Sequence, residues 1–233
     1  MTISVVQSST TGTFASGITE GNSVVMFASA VAFEAAQTAY PFSPALGEIE
    51  TLWTDPVVAA QAITNGSGED VSIIAWLLAN IPADIAGETS FGCSYAANNS
   101  VHGGAAYEIA GLGPTPVVDR YLGVPGQASA TGPSAGPTGA IRAASEIVFG
   151  GSAIYGYGVN PPDDSWTASE NDTGDGGNAY SGYQIADSAG GTYEWSQTYL
   201  SPPVTTQWGA LVFSIAAALP SASGPSLLMA SLP

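Results

Sequence analysis

The 233-residue chain has no lysine and only two arginines, Arg120 and Arg142. Nucleic-acid binding relies on clustered basic side chains that displace counterions from phosphates, and two arginines cannot form such a patch. The same shortage excludes attachment to an anionic membrane surface. Cys93 is the single cysteine, so no intrachain disulfide and no thiolate-built zinc site can form. His102 is the single histidine. It leaves no imidazole-rich metal site, and any Ser-His-Asp arrangement would have to use it. Long apolar runs are also missing. The longest, WGALVFSIAAAL from Trp208 to Leu219, is too short to cross a bilayer as a helix. MTISVVQSSTTG at the N-terminus lacks the basic-then-apolar order of a signal peptide, which predicts synthesis in the cytoplasm without export by that route.

The net charge is −17, from 19 acidic residues against the two arginines. Acid content is thus ordinary and base content is low, which argues against a salt-adapted surface. Apolar residues make up 45% of the chain, enough for a real core and too many for an acidic disordered chain. The 29 glycines and 16 prolines are scattered, as many short strands and turns require.

Two segments, VAFEAAQTAY (31–40) and PVVAAQAI (56–63), are Ala-rich and read as short helices. Period two is clearer elsewhere. In GTYEWSQTYL, Tyr193, Trp195, Gln197 and Tyr199 alternate with Thr192, Glu194, Ser196 and Thr198. In GETSFGCSY, Thr89, Phe91, Cys93 and Tyr95 share one face. Each reads as a strand with one face in a core and one in water.

The chain also repeats itself. NSVVMFASA from Asn22 resembles SEIVFGGSA from Ser145, matching Phe27 with Phe149. LWT resembles SWT, matching Trp53 with Trp166. Further along, Trp76 matches Tyr180, Ile81 matches Ile185, Gly87 matches Gly191, Phe91 matches Trp195 and Tyr107 matches Phe213. The order holds throughout while the spacing shrinks, as two copies of one strand set with loop deletions would show. A Gly-, Pro- and Ser-rich connector, 123–139, separates the copies. The predicted fold is all-β: a jelly-roll β-sandwich of two pseudo-repeated strand sets over 1–219, with an extended C-terminal docking tail over 220–233.

The run GNSVVMFASA, LWT, AWLLANIPADIAGETSF, GGAAYEIAGL, connector, ASEIVFGGSA, SWT, AGGTYEWS and WGALVFSIAA resembles the jelly-roll β-sandwich virion proteins of tailed phages of actinobacteria. These are mostly of the minor tail protein type. The resemblance spans roughly 21–219; region 34–70 is longer than the pattern and the tail lies outside it. It implies a non-enzymatic structural or adhesive part of a virion, with a capsid decoration protein as the near alternative. A carbohydrate-binding or glycoside-hydrolase-like sandwich is the distant one. It further implies other virion proteins as partners and a host-surface glycan as a ligand; no cofactor is expected, and docking of the apolar tail would suit a homo-oligomer.

The candidate chemistry is sparse. SENDTGDGGNAYSGY (169–183) offers Asp172 and Asp175 to a Ca²⁺ ion, but its spacing is not that of an EF-hand loop and a turn between strands is the expectation. Glu48 and Glu50 share a strand face, as glycosidase carboxylates do, yet Leu52 stands where the third acid of a Glu-x-Asp-x-Glu strand belongs. No nucleophile-elbow pattern accompanies His102. Cys93 reads as a buried thiol. Tyr155, Tyr157, Tyr180 and Tyr183 could form a sugar-stacking platform, but core packing is the expectation. In the tail, Leu227, Leu228, Met229 and Leu232 are predicted to dock on a neighbouring subunit.

Overall fold

The structure, a computed structural model, describes residues 2–32, 39–42, 58–62, 70–90, 92–95, 100–127, 132–143, 145–156, 158–172, 177–186, 188–201 and 206–217. No helix occurs among them. The strands are β1 (Ser4–Ser9), β2 (Ser23–Ala32), β3 (Ala39–Phe42), β4 (Val58–Ala62), β5 (Asp70–Leu78), β6 (Gly92–Tyr95) and β7 (Ser100–Ala110), then β8 (Val117–Gln127), β9 (Ser134–Ala135), β10 (Glu146–Tyr155), β11 (Thr167–Asp172), β12 (Gly177–Ala186), β13 (Trp195–Ser196) and β14 (Gln207–Ala216).

Two five-stranded sheets dominate. The first has the order β1-β7-β2-β5-β4 and the second β8-β14-β10-β12-β11. Every neighbouring pair in both is antiparallel. The two orders are the same once each sheet's strands are counted along the chain. The predicted repeat is therefore present as topology, with β2 matching β10 at the centre of each sheet. Each sheet draws on one half of the chain, 4–110 or 117–216. The expected jelly-roll wiring is not confirmed, because the halves exchange no strand between the two sheets.

The sheets pack face to face in opposite order. β7 lies over β11 and β12, β2 over β10, β5 over β10 and β14, and β4 over β14 and β8. This is the pattern of an approximate internal two-fold rotation. At the centre, Phe27, Tyr107, Phe149, Tyr183 and Phe213 form one aromatic cluster. Phe27 and Phe149 meet across the interface with ring centroids 6.1 Å apart, and Phe149 stacks on Phe213 at 5.5 Å. Tyr107 Oη and Ser181 Oγ are 2.7 Å apart and tie the two sheets together. Burial pushes the Tyr107 phenol far above its ordinary value, so it stays protonated.

The outer faces are covered as well. Segments 13–21 and 79–90 lie over the first sheet, where Phe14, Met26, Trp76, Ile81 and Ile85 form a second core. Segments 132–143 and 188–200, with β9 paired to β13, lie over the second, around Val148, Trp166, Tyr180 and Trp195. Both covers use the same clasp. Ile18 N donates to Glu88 O and Gly87 N to Ile18 O; Ile141 N donates to Gly191 O and Gly190 N to Ile141 O. β10 is consequently buried along nearly its whole length on both faces. The predicted half-wet strands are thus not the main sheet strands. GTYEWSQTYL does alternate as expected, with Trp195 and Gln197 buried and Glu194, Ser196 and Thr198 exposed, but it belongs to this outer cover.

Three expectations are overturned. The stretch 123–139 is not a plain connector between the copies, because Gly123–Gln127 completes β8 in its ladder with β14 and Ser134–Ala135 is β9. Within 56–63, Val58–Ala62 is the edge strand β4 and not a helix, because pairing with β5 overrides the preference of alanine. In 31–40, both ends are strand, Val31–Ala32 finishing β2 and Ala39–Tyr40 opening β3.

Candidate functional site

The predicted site residues do not come together. Asp172 ends β11 opposite Asn178 of β12, so the strands on either side of the acidic loop form an antiparallel hairpin. Asp175 lies outside the described residues, as do Glu48, Glu50, Leu52, Trp53, Tyr157, Leu227, Leu228, Met229 and Leu232. No group of three or more His, Cys, Asp or Glu side chains suited to a metal ion occurs among the described residues. The backbone of His102 is inside β7, paired with Ala30. Cys93 sits in β6 opposite Pro41 of β3. The tyrosine platform is contradicted. Tyr155 and Tyr183 pack on the central core, whereas Tyr180 is buried on the other face of β12.

The structure points to a different place, at one end of each sheet's outer face. In the first half, Glu108 of β7 is fully buried beneath the cover segment. Its carboxylate accepts bonds from Gln7 Nε2 (2.6 Å), Thr19 N (2.8 Å) and Asn22 Nδ2 (2.7 Å). Burial acts to raise its carboxyl, but the bonds from Asn22, Gln7 and Thr19 outweigh it and hold the group below the ordinary glutamate value.

The same place in the second half is built differently. Glu108 faces Val24 across the β7–β2 ladder; the corresponding pair on β14 and β10 is Ala216 with Glu146. The carboxylate has moved to the other strand. Gln7, the β1 partner of Glu108, is matched by Val117, the β8 partner of Ala216. The amide matching that of Thr19 belongs to Arg142, and it donates instead to Asp119 Oδ2 at 2.8 Å. Asp119 occupies the register shift of β8. It also meets Arg142 Nε at 3.1 Å and Arg120 Nη1 at 3.4 Å, so both arginines of the chain converge on one carboxylate. Thr115, Val117, Asp119, Arg142, Ala143, Glu146 and Ala216 line a cleft of about 270 Å³. Glu146 is fully buried at its edge; its Oε1 accepts the Ala143 amide at 2.8 Å, and its Oε2 has no hydrogen-bond partner among the described residues.

Sequence reasoning used SEIVFGG only as a repeat motif and missed this cleft. One signal was present: a glutamate stands where the other copy has an apolar Val24. Compared with protein-family models, curated proteins and solved structures, the chain matches none.

Proposed function

We propose that the protein is a non-enzymatic structural component of a tailed-phage virion, of the minor tail protein type. The sequence resemblance is the source of the particle assignment. The observation that supports a scaffold role is where the buried polar side chains go. Tyr107 and Ser181 join the two sheets, Glu108 fastens a cover segment to the first sheet, and Ser152 with Gln197 fastens another to the second. Asp119 fastens 142 to the edge strand β8. Each bond ties one layer to the next, which suits a rigid building block placed among other virion proteins or in a homo-oligomer. Adhesion to a host-surface glycan and decoration of a capsid are further readings of the same resemblance.

The test is mass spectrometry of purified particles from the phage that encodes the chain. The expected result is the intact protein at a fixed ratio to the major tail protein. Its absence from particles, or glycan hydrolysis by the purified protein, would overturn the proposal.

A further inference from the structure

We infer that the cleft beside Glu146 is a docking site for one basic side chain, a lysine or arginine, presented by a different protein. This goes beyond the virion reading and does not depend on it.

The internal repeat supplies the comparison. In the first half, the buried carboxylate is saturated by this chain's own side chains, Gln7 and Asn22, and by the Thr19 amide. In the second half the place of Gln7 is taken by Val117 and that of Glu108 by Ala216, and a cleft of about 270 Å³ stands there. Glu146 keeps one oxygen on the Ala143 amide and leaves the other without a described partner. A carboxylate out of water needs a donor, and a charged donor serves it best.

The other charges nearby do not meet this need. Asp119 holds the Arg142 amide and guanidinium together with Arg120. Arg120 Nε is also committed, to Ala140 O at 2.9 Å. The cleft is smaller than the roughly 300–1,000 Å³ of small-molecule pockets. It suits a single side chain whose aliphatic stem lies along Val117, Ala143 and Ala216. The chain contains no lysine, and both its arginines already contact Asp119 at this site, which disfavours a second copy as the donor. The net charge of −17 favours approach of a basic partner.

The probe is a blocked Gly-Lys-Gly tripeptide, with its norleucine counterpart and butylammonium as controls, titrated into the full chain and read by amide NMR shifts. The lysine peptide is expected to shift Ala143 and Glu146 saturably while Thr19 and Asn22 stay put. Glu146→Gln keeps shape and removes charge, and should weaken binding by at least about tenfold, the scale of one charge-assisted bond. Val117→Gln copies the first half's residue at an exposed cleft wall and should weaken it too, so the test survives a Glu146 variant that fails to fold. Equal binding of the norleucine peptide, or an unchanged affinity in both variants, would sink the inference. Butylammonium binding as tightly as the lysine peptide would assign the cleft to a free amine instead of a protein partner.

Discussion

Phe27 and Phe149 occupy matching positions on the central strands of opposing sheets and touch one another, with centroids 6.1 Å apart. A double-mutant cycle on this pair tests whether the two halves are one core. Phe→Leu removes three carbons from a fully buried site, worth about 2.4 kcal/mol at about 0.8 kcal/mol per buried carbon. Losing ring–ring contacts adds about 0.5–1.5 kcal/mol per pair. Phe149 contacts Tyr107, Tyr183 and Phe213 as well, so with four ring contacts each at the low end of that range Phe149→Leu is expected to cost about 4–5 kcal/mol, and Phe27→Leu, with one ring partner fewer, slightly less. Removing both loses their mutual contact only once. The double variant should therefore be more stable than the sum of the singles predicts, by about 0.5–1.5 kcal/mol. Urea unfolding followed by tyrosine and tryptophan fluorescence measures all four proteins. Additivity within about 0.3 kcal/mol would refute a shared core, because that is the behaviour of independent sites.

Three other outcomes follow from the structure. Glu108 titrates below the ordinary glutamate value of about 4.3 in the folded state, so its contribution is present above that value and is lost as pH falls through the lowered one. Glu108→Gln, which sets a donor among donors, should cost about 1–3 kcal/mol at pH 7 and flatten the acid limb of the stability–pH curve; an unchanged limb would show that another group sets it. Gly87 and Gly190 both have left-handed backbones, at φ +94° and +89°, with open space around a built Cβ, so alanine at either should lower stability by the same amount, about 1–2 kcal/mol, in parallel thermal melts. Chelator should leave the melting temperature of the full chain unchanged within about a degree, whereas a large Ca²⁺-dependent stabilisation abolished by Asp172→Ala would restore the metal reading of the 169–183 loop.

The repeat was legible where apolar patterns coincide in both halves, as in NSVVMFASA and SEIVFGGSA. It was misread where single aromatics served as markers. Trp76 opposes Met26, but the residue opposing Val148 at the matching position is Gln184, four places along β12 from Tyr180. Gly87 corresponds to Gly190 through the clasp, not to Gly191. Tyr107 opposes Val25 while Phe213 opposes Phe149, a slip of two that preserves the inner face. Identity of a large side chain reports that a site is buried on a given face and says nothing about ladder register. The double-sided burial of β10 was hidden for a related reason. Its Gly150 admits Trp195 from the cover above, and Gly151 admits Phe27 and Ile73 from the opposite sheet. The two glycines make room for aromatic and aliphatic side chains from both sides. The cleft was invisible because Glu146 meets Val117 and Asp119 of β8 and Ala216 of β14 there, residues far from it in sequence.

Each half of this chain presents an apolar inner face that only the other half covers, in an arrangement that two identical chains could also form. Fusion into one polypeptide changes what such a pair can do. A symmetric dimer must carry every surface feature twice. Covalent linkage lifts that requirement, and the two ends have diverged: one seals its carboxylate with Gln7 and Asn22, the other leaves a cleft beside Glu146. A building block of this kind has a front and a back, so it can join an assembly with a defined polarity.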